Sequence, residues 1–266
     1  MQVRNTQSTL SERPREFVEW KLIGAWEGVS PEVAVRAWSE LPERTRQHYQ
    51  ELLRSLRAGC PLDYLLPYTE IKGHRFQIRE GVLIPRPETE ELIDIVQSAT
   101  SKPSVLVDVG CGSGVIGVCL SKIFAQVIML DISPIALESA RRNIALNAVQ
   151  NARVYLSNLL NNLPSIQTNW WLVANLPYVP LGDKVLEKEH RTEFEPDLAI
   201  YSGASGLDLF AKLIEQITTL PRKPTRLFFE LDPRNIRQAH ALCVQRLKVS
   251  GSVVRDLDNQ ERFLVV

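Results

Sequence analysis

Charge imbalance is the first thing this sequence lacks: its 266 residues hold 31 Lys plus Arg and 31 Asp plus Glu. A chain with no net field is not drawn to nucleic acid as a whole, and only a local basic groove would grip a polyanion. The region up to Lys72 is balanced in the same way. Cysteine is scarce and scattered, with Cys60, Cys111, Cys119 and Cys243 making no close pair, and His48, His74, His190 and His240 are equally dispersed. That spacing argues against a disulfide framework and against structural zinc, so no metal is expected. No apolar run approaches the roughly 20 residues of a membrane span. Met1 to Arg15 has no apolar core of a secretory signal, and it is too short and mixed for a transit peptide. Internal repeats and low-complexity tracts are missing too. The expectation is a cytoplasmic protein that needs no membrane.

What is present belongs to an ordinary globular chain, 44% hydrophobic and 23% charged, long enough for one large domain or two unequal ones. Helices are expected between Glu16 and Arg57. Phe17, Trp20, Leu22, Ile23 and Trp26 recur at helical spacing, Ser30-Pro31-Glu32 is a helix start, and Leu52, Leu53 and Leu56 stripe a third helix. Ala58-Gly59-Cys60-Pro61 breaks this region. Tyr68 to Leu83 then reads as a β-hairpin with arms Thr69–Lys72 and Arg75–Ile78 and a turn at Glu80-Gly81. The stiff passage Pro85-Arg86-Pro87 precedes a helix running to Gln97.

From Ser104 onward strand and helix alternate. Strands are expected at Ser104–Val109, Val127–Asp131, Ala152–Leu156, Trp170–Ala174 and Arg226–Leu231, and helices at Gly114–Lys122, Pro134–Leu146, Leu207–Leu220 and Asn235–Leu247. Two closing strands, Ser252–Asp256 and Arg262–Val266, have no helix between them and would pair antiparallel. The fold class is therefore α/β: a mostly parallel, Rossmann-like sheet with helices on both faces and an antiparallel end hairpin.

Three features in this region carry chemistry. The first strand runs into Asp108-Val109-Gly110-Cys111-Gly112-Ser113-Gly114, where glycines are expected to let a ligand approach bare N–H groups at a helix start. No Lys-Ser or Lys-Thr follows, which disfavours a P-loop. The second strand ends in Asp131, placed to accept both hydroxyls of a ribose, with Ile132 beside it to pack on a base. Asp131 and Ser133 are also capping residues for the helix that follows. The fourth strand ends in Asn175-Leu176-Pro177-Tyr178. Here an amide side chain, a backbone carbonyl before a constrained proline, and an aromatic face converge, a set suited to holding a planar –NH2 by its two hydrogens.

In this order the three features resemble the class I S-adenosylmethionine-dependent methyltransferases. The resemblance implies that the glycine turn receives the methionine end of the cofactor, Asp131 the ribose, and the tetrad the acceptor nitrogen. Outside the core, Pro61-Leu62-Asp63-Tyr64-Leu65 and Leu83-Ile84-Pro85-Arg86-Pro87-Glu88-Thr89-Glu90 are similar to the linker of the release-factor glutamine methyltransferases, the HemK/PrmC family. Asp131-Ile132-Ser133 with Asn143, and Glu195-Pro196 with Gly203 and Gly206-Leu207, agree with the same family. The similarity covers roughly Ala58 to the C-terminus, and the leading helices match it in kind.

That resemblance implies three segments: a helical substrate-recognition domain at 1–67, a β-hairpin linker at 68–86 and the methyltransferase domain at 87–266. It implies methylation of the side-chain amide of the glutamine in the Gly-Gly-Gln loop of a peptide chain release factor. S-adenosylhomocysteine would be the product, and the partner is the release factor rather than nucleic acid. The enzyme is expected to be a monomer. Asn175, Leu176, Pro177 and Tyr178 would act on the amide, with Arg86, held between two prolines, as a further cofactor or substrate contact. Asp108, Gly110 to Gly114, Asp131, Ile132, Asn158 and Leu159 would hold the cofactor, with Asn175 shared.

Two positions depart from the family pattern. Leu176 stands where proline is usual, which keeps the carbonyl and loosens the turn. Ser157-Asn158-Leu159 replaces the usual Gly-Asp, so Asn158 meets the adenine without charge. Two other readings stay open at this point: an adenine-N6 methyltransferase acting on RNA or DNA, and a cofactor-binding scaffold without catalysis. Glu88 and Glu90 read as first-turn helix acids, Glu195-Pro196 as a loop anchor, and Glu230 as a structural acid on the ligand edge.

Overall fold

The computed structural model describes residues 14–101, 103–183 and 194–266. The chain divides into two compact units, Met1–Thr69 and Glu70–Val266. The first 13 residues of the expected helical domain lie outside the described residues, as does 184–193, His190 included.

The first unit is helical. Helix α1 (Phe17–Glu27) starts where the Glu19 carboxylate accepts the backbone N–H groups of Arg15, at 2.5 Å, and of Glu16, at 3.4 Å. It stops at Gly28, whose left-handed φ of 69° lets the chain turn away. Helix α2 (Pro31–Ala37) begins with proline at its first position, passes into a 3-10 turn at Trp38–Glu40, and is followed by α3 (Glu43–Arg57). Trp20, Ile23, Ala34, Trp38 and Tyr49 form one apolar cluster, with Trp20 edge-on to Trp38 at 5.9 Å. Leu22, Leu53 and Leu65 form a second. The aromatic stripes are thus core, while Phe17 and Trp26 stand exposed. A single turn, α4 (Leu62–Leu65), accepts the Trp26 indole N–H on the Leu65 carbonyl at 2.8 Å.

The hairpin is shorter than the sequence suggests. Strand β1 (Thr69–Ile71) pairs with β2 (His74–Phe76), and the reversal is at Lys72-Gly73, not at Glu80-Gly81. Lys72 and Gly73 both have positive φ, 49° and 73°. A two-residue turn of that hand matches the twist of paired strands, and lysine at its first position gives little sign of it in the sequence. Glu80-Gly81 makes a separate turn, in which Val82 N donates to the Arg79 carbonyl at 3.1 Å.

The rest of the second unit is a seven-stranded sheet. Its strands are β3 (Val105–Val109), β4 (Gln126–Asp131), β5 (Ala152–Leu156), β6 (Trp170–Ala174), β7 (Arg226–Glu230), β8 (Ser252–Arg255) and β9 (Glu261–Val265), in the spatial order β5-β4-β3-β6-β7-β9-β8. The strands from β5 to β7 are parallel; β9 runs antiparallel to β7, and β8 antiparallel to β9. Helices α8 (Asp208–Thr219) and α9 (Ile236–Leu247) bury Phe210, Leu213, Ile214, Ile217, Ile236, Ala239 and Cys243 on one face. Helices α5 (Pro87–Ser98), α6 (Val115–Leu120) and α7 (Pro134–Leu146) run side by side over the other. The central strand β6 is buried at all five positions, as a strand covered on both faces must be. Its adjacent tryptophans point to opposite faces: Trp170 joins the α8–α9 core, and Trp171 meets Phe124 and Phe228.

Candidate active site

Between β3 and β6 the strand order reverses direction, and open α/β sheets bind ligands in the crevice at that point. Val109 pairs with Ala174 across it, so the glycine turn and the Asn175 turn leave the sheet side by side. The cleft there holds about 1190 Å³ of space between atoms, counted to its open mouth.

The glycine turn is fixed by its backbone. Gly110 N and Cys111 N both donate to the Leu130 carbonyl, at 2.8 and 3.0 Å, which ties the turn to the end of β4. Gly110 has a φ of 72°, and a Cβ there would come within 2.9 Å of the Leu176 side chain. The left-handed φ is what favours glycine here, and the missing Cβ leaves room for the Leu176 side chain. Asp131 closes the same end: its carboxylate accepts Gly112 N at 2.9 Å and Ser133 N at 2.8 Å. Burial pushes its pKa up against those bonds. A carboxylate has about four acceptor sites, so a ribose diol still finds lone pairs here.

Most of the residues singled out from sequence meet in this cleft. Gly110, Cys111, Gly112, Ser113, Asp131, Ile132, Asn158, Leu159, Asn175, Leu176 and Pro177 all line it. Gly114 caps α6 behind the turn, packed on Ala140 and Met129. Asp108 lies below the turn and faces α6, where one carboxylate oxygen accepts Gly117 N at 3.0 Å and the other has no hydrogen-bond partner among the described residues. Burial pushes its pKa up to about 7. Asn158 Oδ1 accepts from Lys212 Nζ at 3.3 Å, so a cation from α8 stands where the sequence shows only a neutral side chain.

Arg86 and Tyr178 stand back from the lining. Arg86 Nη2 donates to Glu195 Oε2 at 2.5 Å, and Glu195 Oε1 accepts Ile84 N at 2.8 Å. Arg86 Nη1 is buried without a partner among the described residues. This buried carboxylate therefore anchors the passage before α5 to the loop at Pro196. The Tyr178 hydroxyl donates to Glu230 Oε1 at 3.3 Å, and burial beside that carboxylate raises the phenol's pKa.

Several residues that the sequence offered only as marks of the family resemblance, or not at all, belong to the site. Val82, Leu83 and Pro85 form a wall of the cleft, and the segment before it is tied to the glycine turn by Asn143 of α7. That buried amide accepts Gln77 N at 2.8 Å and donates to the carbonyls of Gln77 at 3.1 Å and Ser113 at 2.9 Å. Thr89 lines the cleft too and accepts from Asn175 Nδ2 at 3.0 Å. Gly206 backs the Asn175 turn, since any Cβ there would collide with the Tyr178 carbonyl. Thr89 and Asn143 stood in the motifs that carry the family resemblance, but nothing local to either named its partner.

Comparison with known proteins agrees with this arrangement. The family model of the methyltransferase small domain matches residues 88–186. The release factor glutamine methyltransferase of Deinococcus radiodurans is 32% identical over 251 residues, covering 91% of this chain and 83% of that protein. The enzyme of the same name from Enterococcus faecalis is 33% identical over 196 residues, 72% of this chain and 70% of its own. Among solved structures, a ribosomal protein L11 methylase from Lactobacillus delbrueckii subsp. bulgaricus shares the fold. Its TM-score is 0.51 at 18% identity, over 75% of this chain and 89% of that one.

Proposed function

The chain belongs to the release factor glutamine methyltransferases, and on that premise we propose that it methylates the side-chain amide nitrogen of the glutamine in the Gly-Gly-Gln loop of a peptide chain release factor. The methyl donor is S-adenosylmethionine. Its methionine end fits against the Gly110–Ser113 turn, whose Gly110, Cys111 and Gly112 N–H groups are already bonded within the fold and whose glycines, without Cβ, let it approach the backbone. Its ribose fits at Asp131, and its adenine between Ile132 and Leu159 with Asn158 at the edge. Bound there, it supplies an electrophilic methyl group. We retain the division into a recognition domain at 1–67, a linker at 68–86 and a methyltransferase domain at 87–266, in a monomeric cytoplasmic enzyme. No helix among the described residues is long and apolar enough to cross a membrane.

One observation carries the reading: Asn175 follows Ala174, the residue paired with Val109, so the amide-holding turn abuts the glycine turn. An amide nitrogen is a weak nucleophile because its lone pair is delocalised into the carbonyl. Asn175 uses Nδ2 on Thr89, which leaves Oδ1 to accept one hydrogen of the substrate –NH2, while the Leu176 carbonyl is available for the other. Two acceptors fix the nitrogen's position and stabilise the positive charge that grows on it. Replacing proline by Leu176 does not remove that carbonyl.

The test offers purified release factor and unmodified ribosomal RNA side by side with labelled S-adenosylmethionine, and locates the label by mass spectrometry. One added methyl on the Gly-Gly-Gln glutamine, lost in Asn175→Ala, is the expected result. Label on RNA alone would overturn it in favour of adenine methylation. Label on neither substrate, with cofactor still bound, would leave only a scaffold.

A further inference from the structure

Behind the acceptor turn, side chains from distant segments form a single hydrogen-bonded chain. Asn175 Nδ2 donates to Thr89 Oγ1 at 3.0 Å, Thr89 Oγ1 donates to Glu230 Oε2 at 2.9 Å, and the Tyr178 hydroxyl donates to Glu230 Oε1 at 3.3 Å. Thr89 and Glu230 are both buried. A threonine hydroxyl has one proton to give. While Glu230 is a carboxylate it takes that proton, so Thr89 offers its other neighbour only a lone pair. That neighbour must be a donor, and Asn175 is therefore turned with Nδ2 inward and Oδ1 toward the cleft.

We propose that Thr89 and Glu230 are positioning residues for methyl transfer: the ionised Glu230, acting through the Thr89 hydroxyl, sets which end of the Asn175 amide meets the substrate. Were Glu230 protonated on Oε2, it would donate to Thr89. Thr89 would then donate to Asn175 Oδ1, and Nδ2 would be turned toward a substrate –NH2 that is itself a donor. The proposal deepens the reading given above and rests on it for the identity of the substrate. The polarity of the chain follows from the hydrogen bonds alone.

Besides Thr89, whose hydrogen bond favours the carboxylate, three neighbouring groups act on Glu230. Glu88, in the first turn of α5, opposes its ionisation, and Arg262 of β9, itself bonded to Asp256 at 3.2 Å, favours it. Tyr178 stabilises the carboxylate by its hydrogen bond. Burial outweighs them and pushes the Glu230 pKa up to about 7. The acceptor end thus changes polarity near neutral pH, and the rate at saturating cofactor falls on the acid side.

The experiment measures kcat and KM for release factor between pH 5.5 and 8.5, with cofactor affinity by calorimetry. It uses wild type, Thr89→Val, Thr89→Ser and Glu230→Gln. Thr89→Val should lose about tenfold or more in kcat, with cofactor Kd within about threefold, and Thr89→Ser should regain most of that rate. The acid limb near pH 7 should vanish in Glu230→Gln. A side-chain 15N signal of Asn175, assigned by its loss in Asn175→Asp, reads the same chain without substrate. It should titrate near pH 7 in wild type and stay flat in Glu230→Gln. An unchanged kcat in Thr89→Val, a serine variant no better than valine, or an Asn175 signal that ignores Glu230 would each overturn the proposal. A wild type that binds cofactor and leaves the release factor unmethylated would instead overturn the assigned substrate, and the Asn175 titration would still decide the chain of positioning bonds. Should Thr89→Val not fold, the Glu230→Gln profiles decide it.

Discussion

At the Gly110–Gly114 end of the cleft the groups that shape it belong to the backbone, set by a short run of sequence and tied to the next strand by two hydrogen bonds to Leu130. At the Asn175 end they are a side-chain amide and a carbonyl, and the amide is oriented by Thr89, 86 residues away, which in turn bonds Glu230, 141 residues further on. The first end keeps its form wherever the local turn forms. The second exists only when α5, β6 and β7 are all in place. A local device suits a ligand recognised by shape and charge, whereas a distributed one suits a reaction that needs a particular atom to face the substrate.

Substitutions can break that contrast or sharpen it. Gly110→Val should have the largest effect because it strikes both ends: its side chain enters the space of Leu176 and forces a left-handed backbone on a β-branched residue. Cofactor binding and methyl transfer should each fall about a hundredfold, measured by calorimetry and single-turnover transfer. Equal loss in both would show that the turns share a wall. Loss of binding alone would separate them.

Glu230→Gln should stabilise the fold while slowing the enzyme. The Glu230 pKa is raised from 4.5 to about 7. The native state therefore favours the protonated acid, and wild type loses stability as pH rises through that window. The variant, which keeps its neutral form, should gain up to about 3 kcal/mol at pH 8 and little at pH 4. Urea unfolding at the two pH values checks this, and a gain independent of pH would refute it.

Asp131→Asn should weaken cofactor binding by about tenfold, the worth of one charge-assisted hydrogen bond, and leave kcat at saturation nearly intact. A fall in kcat instead would mean that the two ends are coupled. Asn158→Asp should be the mildest, tightening cofactor binding about two- to fivefold by restoring an acidic acceptor. Lys212, already bonded to Asn158, should draw on part of that charge, so Lys212→Ala in the same background should increase the gain.

The sequence showed the glycine-turn end of the cleft clearly and the Asn175 end by half. Strands β5 and β6 and helix α7 fall at their expected bounds, because apolar runs and a Ser133-Pro134 start are local signals. Asn175 was recognisable from its tetrad, and Asp131 from its place after β4. What orients Asn175 was not: Thr89 reads as a helix residue, and nothing local to Glu230 says that it meets Thr89. Arg86 shows the same limit, since its buried partner Glu195 is 109 residues distant. Lys72-Gly73 was missed for a different reason. A lysine with φ of 49° carries none of the usual marks of a hairpin turn.

The wall of the cleft that precedes α5 has a consequence for the order in which the protein becomes an enzyme. Ile84 N is held by Glu195, and Thr89 by Glu230. A ribosome making this chain delivers the passage around Ile84 early and the residues that hold it late. Until β7 has emerged and inserted between β6 and the place of β9, the nascent chain has its glycine turn and no closed acceptor site. Competence therefore arrives only after residue 230 has been made, and a fragment stopped before it keeps the glycine turn but lacks the carboxylate that bonds Thr89.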